Sequence, residues 1–295
     1  MTAFDPTAVA AETARLVAEL YVFPEQGIRT AERLRDHIDR GRYRDLDDPE
    51  LLATMLTEDL RAVTPDLHLR VIHHAEPMSR SDDDALMMDR MRARAAATMN
   101  GVAGVDRIDG DIAVLRLAPL LFPLEIGGES IVAAMNLVAP ARALVLDLRD
   151  THGGDPRVVA LLCGFLFDEP VHLMDFYERR GDTTRQSWSA AYVPGPRFGG
   201  TKPIRVLIGP ETFSAGEELA NDLKRTGRAR LIGETTRGGA NPRIGVGLHP
   251  HLELAVPTGR GVDPDTGGNW EGVGVAPDVE VPVEEALSAA LVELS

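Results

Sequence analysis

The chain has 295 residues and a formal net charge of −15. That length suits one large domain with an appendage, or two domains, and folding buries about 75% of the unfolded surface without disulfide staples. The acidity excludes a polyanion partner such as nucleic acid and gives no pull toward an anionic membrane surface.

The N-terminus, Met1-Thr2-Ala3-Phe4-Asp5-Pro6, lacks the basic and then apolar regions of a secretory signal. No apolar run approaches the length of a membrane span, so the expectation is a soluble, cytoplasmic chain. Val9, Leu16, Val17 and Leu20 mark a first amphipathic helix, and Ile28, Ala31, Leu34 and Ile38 a second. Asp48-Pro49 starts a third, with Leu52, Met55, Leu56 and Leu60 on one face. From Asp66 to Val71 the period becomes two, which predicts a strand with Asp66, His68 and Arg70 on its polar face.

Residues 76–100 are charged and rich in Met and Ala, including Ser81-Asp82-Asp83-Asp84, and read as an exposed helix or loop at a boundary. Beyond Val105 strands and helices alternate. Strands are expected at 112–117, 143–148, 171–177, 204–208, 229–232 and 252–256, and helices at 129–137, 156–167, 215–224 and 283–294. This pattern reads as an α/β core over 105–295, after an N-terminal helical domain with the start of the core (1–75) and a linker or exposed helix (76–104). The single cysteine, Cys163, lies in an apolar helix and reads as core rather than as a nucleophile.

The strongest chemical signal is Ser214. It stands where the strand Ile204-Arg205-Val206-Leu207-Ile208 gives way, through Gly209-Pro210, to a helix opening at Ala215. A serine there faces the crevice beyond the strand, beside the helix's unpaired amides and positive dipole end. The plainer reading is an N-cap, with Glu217 and Glu218 suited to the first turn. Gly153 and Gly154 follow another buried strand, and such paired glycines let backbone approach a ligand closely; a tight turn explains them equally well alone. Their amides and that of Ala215 are candidates for an oxyanion hole. Serine needs a base, and His68 is the first candidate with His152 the second. Glu271, bracketed by Gly268 and Gly272, suits a group that orients or charge-stabilises a histidine, against a plain solvated acid. His249, His251 and Glu253 alternate at a metal-ligand spacing, but a solvent-facing polar stripe accounts for them, so no metal is expected.

Several stretches together resemble the carboxyl-terminal-processing peptidases of family S41, on their interphotoreceptor retinoid-binding protein-like branch. They are Tyr21-Val22-Phe23-Pro24-Glu25, Asp66-Leu67-His68-Leu69-Arg70-Val71, Asp147-Leu148-Arg149 with Gly153-Gly154, and Phe213-Ser214-Ala215-Gly216-Glu217-Glu218. Ile232-Gly233-Glu234-Thr235-Thr236-Arg237-Gly238-Gly239-Ala240 and Trp270-Glu271-Gly272-Val273-Gly274-Val275-Ala276-Pro277 complete the set. The resemblance implies a ClpP/crotonase-like spiral core preceded by a small N-terminal helical bundle. It implies Ser214 as nucleophile, His68 as base, Glu271 in support, and one of the two glycines with Ala215 as oxyanion hole. It implies no cofactor.

Two departures from relatives shape that expectation. Many relatives place a catalytic lysine just after the Gly-Glu-Thr-Thr motif, where this chain has Arg237-Gly238-Gly239-Ala240, and arginine stays protonated. The tricorn-like branch has a serine beside the histidine, where this chain has Leu67. The interval from Val71 to Val105 is too short for a PDZ domain, so none is expected. The expected substrate is a peptide or a small molecule, and the scaffold leaves open a homo-oligomer. The competing readings are a non-proteolytic binder of an apolar ligand and an esterase or metabolite-processing enzyme on the same scaffold.

Overall fold

The computed structural model describes residues 4–78 and 84–295. Residues 1–3 of the N-terminal signal reading and residues 81–83 of the acidic run lie outside the described residues.

Helices α1 (Pro6–Leu20), α2 (Pro24–Asp39) and α3 (Pro49–Arg61) come first, then β1 (Arg70–His73) and α4 (Asp84–Ala97). Next are β2 (Val102–Ile108), β3 (Ile112–Leu117), α5 (Leu124–Val138), β4 (Ala143–Asp147) and α6 (Pro156–Leu166). The hairpin strands β5 (His172–Glu178) and β6 (Thr183–Trp188) precede β7 (Ile204–Ile208), α7 (Ala215–Arg225) and β8 (Arg230–Gly233). Strands β9 (Arg243–His249), β10 (Leu252–Pro257), β11 (Gly259–Val262) and β12 (Val279–Glu280) lead to α8 (Ala286–Leu294).

The chain divides into two compact units. The first is Met1–Asp84 with Phe176–Arg185 and Asn241–Val262; the second is Ala85–Asp175, Gln186–Ala240 and Asp263–Ser295.

In the first unit all three helices open on proline, whose fixed φ suits the first turn and whose missing N–H costs nothing there. Asp5 caps α1 by accepting the Ala8 amide at 3.0 Å, and Asp48 caps α3 through the Glu50 amide at 2.9 Å. Val17, Leu34, Leu52, Leu56 and Leu60 pack into one core with Leu252, Leu254 and Val256. Those last three sit on β10, the middle strand of an antiparallel sheet of order β1-β10-β9, where Val71 lies opposite Leu254. Pairing of β1 begins at Arg70, so His68 stands in a turn before the strand and not within it.

The second unit is built on a six-stranded sheet of order β12-β8-β7-β4-β3-β2. Neighbours run parallel except the antiparallel pair β2 and β3. Every residue of β4 is buried, as a central parallel strand covered on both faces requires. Ala286, Ala290 and Leu294 of α8 pack on Val114, Val145, Leu207 and Ile232, while α5, α6 and α7 neighbour one another in sequence order.

This architecture corrects the expected ClpP/crotonase-like spiral core preceded by a small N-terminal helical bundle. Six strands lie side by side in one open, mixed sheet with flanking helices, and two three-stranded sheets are separate from it. The crossover helices α5 and α7 each return the chain to an adjacent parallel strand of that same sheet, so no spiral of stacked layers is wound. The N-terminal helices, likewise, share their core with the β1-β10-β9 sheet.

Asp59 on α3 is buried and accepts bonds from the Tyr43 hydroxyl at 2.6 Å and Arg42 Nε at 2.7 Å, with His37 Nδ1 at 3.1 Å. Burial alone would raise its carboxyl, but the bonds from Tyr43, Arg42 and His37 prevail and hold it below the usual carboxylate range. Stability from this group is therefore complete above the unfolded-state value and fades as pH falls through the lower folded value. Urea unfolding of wild type and Asp59→Asn should differ most near pH 6, and the gap should close below about pH 4. A gap that is constant with pH would refute the assignment.

Candidate active site

The loops leaving β3, β4 and β7 lie together at the carboxyl end of the second unit's parallel strands, the usual location of a crevice in an open α/β sheet. Side chains stitch them together. Thr151, fully buried, donates its hydroxyl to the Leu117 carbonyl at 2.6 Å, and its own carbonyl accepts the Phe213 amide at 2.9 Å. Thr212, also fully buried, donates to the Leu148 carbonyl at 2.9 Å and accepts the Gly209 amide at 3.0 Å.

Ser214 follows directly, half-buried, at φ 52° and ψ −117°. A non-glycine residue in such a region costs about 1–3 kcal/mol and persists only where its surroundings fix it. Ala215 is the first residue of α7, so its amide has no acceptor within the helix. Gly153, at φ 108°, lies against the serine: a Cβ there would stand 3.0 Å from Ser214 Cβ and 3.5 Å from its Oγ. Gly154, at φ 142°, has no room for a side chain either, since a Cβ would fall 2.1 Å from the Leu121 carbonyl oxygen. Leu121 bridges Gly154 in parallel, its amide donating to Gly153 O at 2.9 Å and its carbonyl accepting from Asp155 N at 2.8 Å. In a parallel bridge of this kind Gly154's own N–H and C=O point away from Leu121. The structure thus brings Ser214, Ala215 and Gly153 side by side, with Gly154 next in chain.

The group that fixes this corner is Glu217, read from sequence only as a first-turn acid. It is fully buried and accepts four bonds: from Ser214 N at 2.8 Å, Thr236 Oγ1 at 2.5 Å, Gly238 N at 2.7 Å and Gly239 N at 2.8 Å. Burial pushes its carboxyl above the usual range, and the four donors oppose that rise without cancelling it. The Ser-x-x-Glu spacing of a capping box was the signal that could have found it.

The loop that Glu217 holds is bonded in turn to the Glu271 segment. Gly272 N donates to Gly238 O at 3.0 Å, Trp270 Nε1 to Gly239 O at 3.0 Å, and Val275 N to Thr236 Oγ1 at 2.7 Å. Ala240 N donates to Glu271 Oε2 at 2.6 Å. Glu271 is therefore positioned within the second unit.

His68 belongs to the first unit, where Asp66 shapes its turn. Asp66 Oδ1 accepts the His68 amide at 2.9 Å, while Oδ2 accepts Asn241 Nδ2 at 2.9 Å and the Tyr21 hydroxyl at 3.1 Å. Burial, with help from the charges of Arg243, Arg70 and Arg61, pushes the His68 imidazole down to about 3. Its ring is neutral at pH 7. His152 is exposed in the second unit, its Nε2 3.8 Å from Glu211 Oε2. Cys163 is fully buried, and burial raises its thiol well above the ordinary value. His249, His251 and Glu253 do not share one strand: the two histidines flank the turn from β9 to β10, and Glu253 on β10 engages His74 and Arg243. Among the described residues, no helix is long and apolar enough to cross a membrane.

Residues 112–281 match the model of peptidase family S41, and residues 5–102 match that of the N-terminal domain of peptidase S41 in eukaryotic interphotoreceptor retinoid-binding protein. Among solved structures, a lipoprotein from Streptococcus agalactiae is 15% identical with a TM-score of 0.64, over 100% of this chain and 97% of that one. The photosystem II D1 C-terminal processing protease is 17% identical with a TM-score of 0.55, over 95% of this chain and 94% of that one. The tricorn protease is 13% identical with a TM-score of 0.62, over 98% of this chain and 37% of that one. At these identities the likenesses concern the fold.

Glu217→Gln keeps the size of the side chain but turns one acceptor oxygen into a donor facing donors. It should lower stability in urea by about 3 kcal/mol or more, and Glu217→Ala by at least as much. Equal unfolding midpoints for wild type and Glu217→Gln would show that the carboxylate does not hold the loop.

Proposed function

The chain belongs to peptidase family S41 and is a serine-type hydrolase, and we propose that it cleaves a peptide bond through an acyl-enzyme on Ser214. The observation that carries this reading is the strained Ser214 at the opening of α7, packed against Gly153 beside the amide of Ala215, which has no acceptor within the helix. In the proposed reaction His68 takes the Ser214 proton and the alkoxide attacks the scissile carbonyl carbon. The amide of Gly153 or Gly154, together with that of Ala215, receives the developing oxyanion. Collapse expels the amine, which takes the proton back from His68. Water, deprotonated by the same ring, then releases the acid. Glu271 supports the histidine that alternately holds and returns the proton.

The His68 ring is neutral at pH 7 and its lone pair can accept a proton, while the burial that keeps it neutral also lowers its proton affinity. The absence of lysine from Arg237-Gly238-Gly239-Ala240 leaves the dyad of many relatives without its base and favours histidine in that role. A fluorophosphonate probe should label wild type and not Ser214→Ala. Against a peptide substrate, Ser214→Ala and His68→Ala should each lower kcat by about 10⁴-fold or more, and the double variant by little more than either alone. Near-full activity in His68→Ala would remove it as the base and turn the test to His152.

The pH dependence is a separate check. A His68 value near 3 predicts that kcat/KM of the free enzyme stays level from pH 8 down to about 5. An acid limb centred near 6.5 would mean that the catalytic base is an ordinary histidine, not one held neutral by burial.

A further inference from the structure

An open cavity of about 570 Å³ lies in the second unit, lined by Met88 and Met91 of α4, the 120–123 loop and Gly154. Its wall is mostly apolar, with Leu120, Leu121, Phe122, Pro123 and the two methionines, and Glu125, Asp155 and Arg157 also line it. Leu121 and Phe122 are buried, so this side of the wall is anchored in the core. The Leu121–Gly154 bridge fastens that wall to the backbone carrying the glycine pair.

The geometry points to this cavity as the specificity pocket for a large apolar side chain on the residue whose carbonyl is attacked. The inference rests on the assignment of Gly153 or Gly154 to the oxyanion. With the carbonyl oxygen held at the glycines, the side chain of the same substrate residue begins two bonds from the reacting carbon. Gly154 has no side chain to block the way and belongs to the cavity's own lining.

Size and charge narrow the class. The volume falls within the usual range for a ligand site, roughly 300–1,000 Å³, and leaves an alanine or glycine substrate without contacts. Among the lining residues, Arg157 is already committed to Asp155 at 2.6 Å and to Glu125 at 2.5 Å. Two carboxylates around one guanidinium leave nothing to pair with an acidic substrate side chain. Methionine walls adapt to different shapes, so phenylalanine, leucine and methionine should all be accepted.

The test has a turnover arm and a binding arm. In tripeptide amide substrates differing only at the residue before the scissile bond, phenylalanine should exceed glycine in kcat/KM by about 10- to 100-fold, and glutamate should be the poorest. Met91→Trp, and Met88→Trp as a second filling variant, should lower the phenylalanine substrate by about tenfold and leave glycine turnover and fluorophosphonate labelling of Ser214 as in wild type. In the binding arm, calorimetry with acetyl-dialanyl-phenylalanine and acetyl-dialanyl-glycine on Ser214→Ala should show the same preference, lost when Met91→Trp is added. Normal labelling with no phenylalanine preference, or with a preference that both filling variants retain, overturns the pocket assignment and leaves the nucleophile standing. Missing labelling in wild type, with the binding preference intact and lost on filling, overturns the acyl-enzyme reading and leaves the pocket standing.

Discussion

The second unit's candidate site depends on one buried carboxylate. Glu217 sits at the first turn of α7 and gathers donors from three places in the chain: Ser214, Thr236 and the Gly238–Gly239 pair. An isolated carboxylate at zero exposure is prohibitively costly, and only several well-aimed hydrogen bonds make its burial tolerable. That demand works in both directions. The donors keep the charge in place, and the charge keeps the donors in place, including the amide of a serine at positive φ. From Gly238, Gly239 and Ala240 the order passes on to Trp270, Glu271 and Gly272.

The strained serine is held from its other side by threonines. Thr151 and Thr212 tie the loops after β3, β4 and β7 into one layer through bonds to Leu117 O and Leu148 O. The Thr151 carbonyl then takes the Phe213 amide, one residue before the strain. Backbone held at both ends has few ways to relax, which is what a position costing 1–3 kcal/mol, in rough terms, requires. The glycines complete the arrangement by subtraction, since a methyl on Gly153 would meet the serine itself.

Much of this fold is legible in sequence where burial is two-sided or periodicity long. The strands at 112–117 and 204–208 occur at the bounds their apolar runs suggest, and α6 and α7 end within one residue of theirs. Strand β6 escapes because all but Ser187 of its residues are exposed, and β9 because no buried residue marks it. Strand β12 is two residues long. Which strands share a sheet is a different kind of question. Alternation of strands and helices announces an α/β core but not the order β12-β8-β7-β4-β3-β2, and the expected spiral fails at that step. Residues 241–262 join the N-terminal helices through Leu252, Leu254 and Val256, a tertiary choice that no local pattern records.

The site shows the same division. Ser214 and the glycines are visible because their chemistry is local: a serine at a strand-to-helix junction, and two residues without side chains after a buried strand. His68 is visible by type, but its environment is not. The turn before β1, rather than a polar strand face, is what Asp66 builds by accepting the His68 amide. Burial and three arginines then give the imidazole a proton affinity far from that of an exposed histidine. Glu217 is affected by burial in the opposite sense, its carboxyl raised where the His68 ring is lowered. Both shifts favour the neutral form, and the two residues answer differently. The histidine becomes neutral and so keeps its lone pair, while the carboxylate stays an acceptor by surrounding itself with four donors. Removing water therefore leaves the His68 ring neutral but a weaker proton acceptor than an exposed histidine, and makes the hydrogen bonds that hold the serine costly to break.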